Sequence, residues 1–204
     1  EAEAGFELRV VSLDEAIEVN KAFTCDDNFD QVMIEREKRV LELIKEAIVT
    51  DRLIIRPVTL EDAEEIHLYA GDPGIDMMMF LPNESFEETV GFTQYAVNEW
   101  RKAEPEDREF VITLDGKVIG GVNLEYCPET DAYEIGWTLN KDYRCKGYAT
   151  EAARALMGYG FDKLNARCIQ AHCDSRNIAS EKVMKKIGMK LADDKGTRYY
   201  PKTG

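Results

Sequence analysis

The sequence is short of histidine, of paired cysteines, of long apolar runs and of positive charge, and each shortage removes a class of function. Its two histidines, His67 and His172, have no ligand partner at metal-site spacing, so no metal centre is expected. The five cysteines, Cys25, Cys127, Cys145, Cys168 and Cys173, are odd in number and form no C-x-x-C pair. That argues against zinc and disulfide frameworks and for reduced thiols in a cytoplasmic protein. No apolar stretch approaches the ~20 residues that cross a bilayer, and no secretory signal pattern is present. The first residue is Glu1 rather than Met, and Glu1-Ala2-Glu3-Ala4 reads as a remnant of processing, trimming or expression. The net charge is −14, with 13 acidic and 6 basic residues in positions 1–50 and 27 and 20 in the remainder. Such a balance speaks against nucleic acid or an anionic membrane as the main partner, and it suits a cationic small molecule.

What the chain does contain is a readable succession of elements. Positions 1–50 form an acidic extension. A strand is expected over Phe6–Val11, and a helix runs from the Ser12-x-x-Glu15 capping box to Ala22. An amphipathic helix follows, in which Val32, Met33, Val40, Leu41, Ile44 and Ile48 recur at helical spacing. Its apolar face needs a partner surface, either the following domain or a second copy in a homodimer.

Positions 51–204 read as one domain. A strand over Asp51–Pro57 leads to a helix over Leu60–Ala70, with Thr59 and Asp62 as its capping box. After the dense apolar patch Met77–Leu81 comes a helix over Phe86–Lys102. Asp115-Gly116 is a hairpin signal joining strands Glu109–Leu114 and Lys117–Tyr126, and a third strand covers Ala132–Leu139. A helix over Tyr148–Phe161, a strand over Ala166–Cys173, a helix over Asn177–Ile187 and strands over Met189–Ala192 and Thr197–Tyr200 complete the reading. The order predicts an α/β (α+β) fold, with a mixed, mostly antiparallel central sheet flanked by helices.

One connection is chemically distinctive. Asp142-Tyr143-Arg144-Cys145-Lys146-Gly147-Tyr148-Ala149-Thr150-Glu151 lies between a strand and a helix N-terminus. Unpaired amides of a first helical turn and the helix dipole favour an anion there. Gly147 permits close backbone approach, and Arg144 and Lys146 supply positive charge. Cys145 reads as an incidental loop thiol, although its position beside basic residues is one that activates thiols.

The spacing Arg144-x-x-Gly147-x-Ala149 resembles the pyrophosphate loop of the GNAT superfamily of acyl-CoA-dependent N-acetyltransferases. Glu134-Ile135-Gly136-Trp137 before it, Thr150-Glu151-Ala152 after it, and Asn177-x-x-Ser180 and Lys185-x-x-Gly188-Met189 further on extend the match. Order and spacing are similar to the ribosomal-protein N-terminal acetyltransferase branch, over roughly Asp51 to Tyr200. The resemblance implies an acyl-CoA N-acyltransferase fold. It also implies acetyl-CoA as cosubstrate without a metal, and direct transfer to a primary amine. A protein N-terminus is the first acceptor to consider, with polyamines, amino acids or aminoglycosides next.

Residue roles follow from the same resemblance. Trp137, Thr138 and Leu139 should lie along the pantetheine arm. Backbone amides from Arg144 through Cys145, Lys146, Gly147, Tyr148, Ala149 and Thr150 should face the phosphates, with Arg144 and Lys146 pairing with them. Asn177 should hydrogen-bond the arm or cap its helix, and Arg176 should reach the adenine end. Acyl transfer needs a neutral amine, a stabilised oxyanion and a proton for the leaving thiolate. Glu134 is the candidate base, ahead of Glu125 and Glu151. Ser180 is the candidate proton donor, with Tyr199 and Tyr200 as alternatives. Met77–Leu81 should help shape the acceptor pocket. His172 reads as a satisfied strand-end residue. The short final strand, and the lack of a second carboxylate beyond Asn177-x-x-Ser180, leave an alternative: an acyl-CoA-binding regulatory module with reduced turnover.

Overall fold

A computed structural model describes residue 18, residues 40–41, residues 44–73 and residues 82–196 of the 204-residue chain. The expected Phe6–Val11 strand, most of both N-terminal helices, Cys25, Met77–Leu81 and the Thr197–Tyr200 strand lie outside the described residues. The chain divides into two units, Glu1–Ala47 and Ile48–Gly204. Of the first, Glu18, Val40, Leu41, Ile44 and Lys45 are helical.

The second unit opens with a short strand that the helical periodicity concealed. Ile48–Val49 (β1) pairs antiparallel with Ile54–Pro57 (β2), Ile48 opposite Ile55 and Val49 opposite Ile54. Thr50 closes the turn between them. Its amide donates to the Leu53 carbonyl at 2.9 Å, and its hydroxyl accepts from the Leu53 amide at 3.0 Å. Ile48 therefore belongs to a strand and not to the preceding helix, and β2 begins at Ile54 instead of Asp51. A β-branched run with a sheet edge to pair with has overridden the 3.6-residue pattern.

Thr59 and Asp62 then form the expected capping box at a 3-10 turn, Leu60–Asp62, that leads into α1 (Ala63–Ala70). The Asp62 carboxylate accepts from the Thr59 amide at 2.8 Å and from both Arg56 Nη1 and Nη2, at 2.8 and 2.7 Å. These bonds satisfy a carboxylate that is otherwise buried. Helix α2 (Phe86–Glu99) is capped by Ser85, whose hydroxyl accepts from the Glu88 amide. His67 on α1 meets Thr89 on α2 at 2.8 Å, a packing role.

Strands β3 (Asp107–Leu114), β4 (Lys117–Cys127) and β5 (Ala132–Leu139) form the meander. Asp115 and Gly116 join β3 to β4 with φ of 50° and 79°, the signs a tight hairpin turn requires. Helix α3 (Tyr148–Asp162) returns the chain to β6 (Ile169–Gln170), and α4 (Ile178–Lys186) follows. The sheet order is β1-β2-β3-β4-β5-β6, antiparallel throughout except for the parallel pair β5–β6. The Met189–Ala192 segment carries no strand. No helix among the described residues is long and apolar enough to cross a membrane.

The core lies between the sheet and its helices. Phe110 is fully buried and meets Trp100 and Tyr159 edge-on, with centroids 4.9 and 5.4 Å apart. Ala152, Ala153 and Leu156 bury one face of α3 beside it. Pairing of β5 with β6 is confined to Tyr133 with Ile169 and Glu134 with Gln170. The expected strand over Ala166–Cys173 is thus reduced to its centre. Beyond Glu134 the two strands part, and that edge of β5 faces a cleft.

Candidate active site

The cleft beyond the parting of β5 and β6 has a volume of about 390 Å³. On its sheet side stand Trp137 and Leu139, and its floor is the loop into α3: Arg144, Cys145, Gly147, Tyr148, Ala149 and Thr150. Helix α4 closes the far side with Asn177, Ser180, Lys182 and Lys186. The local reasons are legible. Gly147 takes a left-handed conformation, φ 88°, immediately before α3, and Cys145 is also left-handed at φ 62°. The two reversals turn the loop back under the helix, so the first-turn amides of α3, which have no intrahelical acceptor, face the cleft. Arg144 Nε donates to the Leu139 carbonyl at 3.0 Å and ties the loop to the strand end. Arg144 Nη2 is buried without a hydrogen-bond acceptor among the described residues. Spare donors, a helix N-terminus and two lysines one turn apart on α4 match the charge pattern of a phosphate-bearing ligand.

Two expected contacts are arranged differently. Lys146 Nζ donates to the Asp142 carbonyl at 2.9 Å and sits 5.4 Å from the Tyr143 ring centroid, so the side chain braces the loop from outside. Arg176 is closed onto Asp174 through Nε at 2.9 Å and Nη2 at 2.6 Å. Asn177 is buried and caps α4, its Oδ1 accepting from the Ser180 amide at 3.0 Å.

Arg52, which no sequence motif marks, anchors the loop to the first hairpin. Its Nε donates to Glu151 Oε2 at 2.7 Å, its Nη1 to the Lys146 carbonyl at 3.0 Å, and its guanidinium lies 4.5 Å from the Tyr148 ring centroid. Thr50 Oγ1 adds a bond to Glu151 Oε1 at 2.7 Å. Burial acts to raise the Glu151 carboxyl, but the Thr50 and Arg52 hydrogen bonds outweigh it and hold the group below the usual carboxylate range. Glu151 is therefore a structural anion and a poor base.

The opposite face of β5 borders a second, smaller cavity of about 160 Å³. Strand alternation sends Thr138 to this side while Trp137 and Leu139 line the cleft, so the three consecutive residues do not share one ligand face. Trp137 borders both spaces. Ile66, Tyr69 and Phe92 from α1 and α2 roof the cavity, and Glu109, Asn123 and Gly136 lie beneath. These last three are register partners across β3, β4 and β5. A Cβ at Gly136 would stand 2.5 Å from Asn123 Oδ1, so a larger residue there would require the Asn123 side chain to move.

The next register row outward is acidic. Asp107 pairs with Glu125, and Glu125 with Glu134. Burial raises the Asp107 carboxyl to about 6, against a hydrogen bond from Asn123 that lowers it, with Glu125 and Glu99 adding to the rise. Burial, then the charges of Asp107 and Glu125, holds the Glu109 carboxyl well above the usual range. Glu134 meets His172 Nδ1 at 3.1 Å through Oε2, at the point where β5 and β6 part. Sequence reasoning named Glu125 and Glu134 but missed Asp107 and Glu109. Their alternation on one strand was the available signal. Among the described residues no group of three or more His, Cys, Asp or Glu side chains is placed to hold a metal ion.

Comparison with known proteins agrees with this arrangement. The acetyltransferase (GNAT) domain matches residues 52–190. YnaD, an uncharacterized N-acetyltransferase of Bacillus subtilis, is 35% identical over 70% of this chain and 82% of its own. A GNAT-family acetyltransferase from Bacillus anthracis has the same fold, with a TM-score of 0.63 and 30% identity over 72% of this chain and 85% of that one. RimL, a ribosomal L7/L12 alpha-N-protein acetyltransferase solved with coenzyme A, superposes with a TM-score of 0.62 at 20% identity over 70% of this chain and 83% of that one. The loop, the parted strands and the family match together establish that the chain belongs to the GNAT acetyltransferases and is an N-acetyltransferase enzyme.

Proposed function

We propose that this enzyme transfers an acetyl group from acetyl-CoA directly to a primary amine, with cosubstrate and acceptor on opposite sides of β5. The observation that carries the reading is Trp137, which borders both the basic cleft and the smaller, mainly apolar cavity. A ligand in one space and a ligand in the other can meet only at that strand.

The residues of the cleft fit the cosubstrate. The amides of the loop and of the first turn of α3 hold the diphosphate, and Arg144, Lys182 and Lys186 balance its charge. The unpaired edge of β5 beyond Glu134 and the buried Asn177 hold the amide-bearing arm. Acetyl-CoA supplies the acyl thioester. Ser180, on the cleft wall one turn into α4, is placed to give a proton to the departing sulfur. Glu134 Oε2, paired with His172, takes the proton of the incoming amine. No covalent enzyme intermediate is needed for direct transfer from a thioester to an amine.

The acceptor is a protein N-terminal amine or a small amine. The N-terminal reading draws on the fold shared with RimL; the small-amine reading draws on the modest volume of the cavity. The test is Glu134→Gln, with steady-state thiol release and calorimetric titration of acetyl-CoA on the same preparation. A fall in kcat of about 10²–10⁴-fold with unchanged cosubstrate affinity is expected of a lost general base. A wild-type rate would remove Glu134 from that role.

A further inference from the structure

Gly136 leaves a gap on the face of β5 that borders the small cavity, and the side-chain oxygen of Asn123 fills it. The two are register partners, and both line the cavity beside Trp137. The oxygen overhangs β5: a Cβ on Gly136 would stand 2.5 Å from Asn123 Oδ1. The nitrogen end of the amide points to β3, where Nδ2 donates to Asp107 Oδ1 at 3.4 Å. That bond decides which end of the amide faces which strand. Asp107 itself lies one register row outward and does not line the cavity. Oδ1 accepts no hydrogen bond from the described residues. Other polar groups of the cavity stand elsewhere. Glu109 is on β3, two strands from β5, and Thr138 is on another register row. The Tyr69 hydroxyl lies over β4, 3.1 Å from where a Cβ on Gly121 would be.

We propose that Asn123 Oδ1 orients the acceptor amine for attack, and that Asp107 is the positioning residue that keeps this oxygen turned toward β5. The inference rests on the acetyltransferase reading above and adds the group that aims the nucleophile. An amine must meet the thioester at β5 with its lone pair forward, so its N–H bonds have to be held from another side. An amide oxygen does this without charge. It accepts from N–H, yet it gives the protonated, unreactive ammonium far less added stability than a carboxylate would. The proton leaves by another route, through Glu134 in the reading above, so Asn123 and Asp107 form and break no covalent bond. Gly136 completes the arrangement, because a side chain there would displace the oxygen.

The orientation depends on the charge of Asp107. An ionised Asp107 can only accept, so it holds the amide nitrogen of Asn123. A protonated Asp107 becomes a donor. Its hydroxyl competes for Oδ1, which turns the amide over and presents the NH2 group to the cavity. Burial raises the Asp107 carboxyl to about 6, so the exchange falls there and the amine-orienting state is the one above it. Glu125 of β4 and Glu99 of α2 add to the rise, and Arg108 opposes it. Tyr95 of α2 and Glu109 of β3 feel the same charge, and Glu134 of β5 lies beyond Glu125.

The experiment measures thiol release with butylamine as acceptor, acetyl-CoA affinity by calorimetry, and Tm, all on the full chain. Asn123→Leu, similar in size but without either polar amide atom, is expected to lower kcat by about ten- to a hundredfold, with acetyl-CoA affinity unchanged. Gly136→Ala, which pushes the oxygen aside and leaves its chemistry intact, should reproduce the loss. Asp107→Asn should lower kcat several-fold at pH 8 without loss of stability. The ratio of wild-type to Asp107→Asn rate should then fall toward one below pH 5. Wild-type kcat in Asn123→Leu or in Gly136→Ala would overturn the inference. So would a parallel fall in Tm and acetyl-CoA affinity, which marks a structural role, or a ratio for Asp107→Asn that stays flat with pH. Each of these results leaves the transferase standing. Absence of acetyl-CoA binding, and of turnover with butylamine and with a short seryl peptide, would remove the underlying reading as well.

Discussion

Replacing Gly147 with alanine isolates the geometry on which the proposed cosubstrate site depends. Gly147 sits at φ 88°, ψ −3°, as the residue before α3. An L-residue in that region costs about 1–2 kcal/mol, because its Cβ crowds the following carbonyl oxygen. The new Cβ would also stand 3.3 Å from Arg52 Nη2, the far end of a long side chain, which a shift of a few tenths of an ångström within its Glu151 pair would relieve. The penalty is thus a backbone one, worth a factor of about 5–30 in an equilibrium constant. It is felt in one of two places. If the loop keeps its left-handed turn without ligand, the folded state bears the cost, and Tm falls by about 2–4 °C per kcal/mol. If the loop relaxes, the cost is met on binding, and acetyl-CoA affinity falls by about 5–30-fold. Thermal unfolding and calorimetric titration of the same variant read both. Wild-type Tm together with wild-type affinity would refute the role given to this residue. Gly147→Glu, which adds bulk and a negative charge at the proposed phosphate site, should abolish measurable binding.

Three further outcomes are expected. Glu151→Gln should destabilise the fold at neutral pH by about 1–2 kcal/mol. The carboxyl is held below its unfolded value, so the wild-type advantage is present above that value and vanishes as pH falls through the folded one; urea unfolding at pH 7 and pH 3 tests both halves. Asp107→Asn should act oppositely. With the folded carboxyl raised to about 6, the native state loses stability as pH climbs from the unfolded value through 6. The variant should therefore gain relative to wild type above pH 6, by at most about 2–3 kcal/mol, read as a rise in the denaturation midpoint at pH 8. Asn177→Ala removes the α4 cap and should cost about 1 kcal/mol of stability, together with a rise in the KM for acetyl-CoA.

Most of the frame was legible because it is written in short-range chemistry. The Thr59–Asp62 capping box, the Asp115–Gly116 turn and the glycine at the entrance to α3 are each fixed within a few residues, and the structure forms all three. The gathering of the loop, Asn177 and Ser180 around one cleft could be expected for the same reason: the loop is continuous, and the other two lie at the start of one following helix. What escaped is what the sheet assembles from afar. Arg52 and Glu151 are 99 residues apart, and neither sequence context suggests the other. The strand at Ile48–Val49 was hidden because its apolar residues continue a helical period until a sheet edge offers them pairing. The contraction of β6 to two residues reflects the parting from β5, a tertiary event without a local signal. Glu109 looked like an ordinary alternating strand residue. Its significance appears only when Tyr69 and Phe92 roof the same space.

The most direct test of the central claim is calorimetric titration of acetyl-CoA into the full chain, followed in the same cell by thiol release on addition of a primary amine. Binding followed by amine-dependent release of free thiol is the predicted result. Binding without release across mono- and diamines and N-terminal peptides would contradict the transferase and point to a regulatory acyl-CoA-binding module. Absence of binding would contradict the assignment of the loop between β5 and α3.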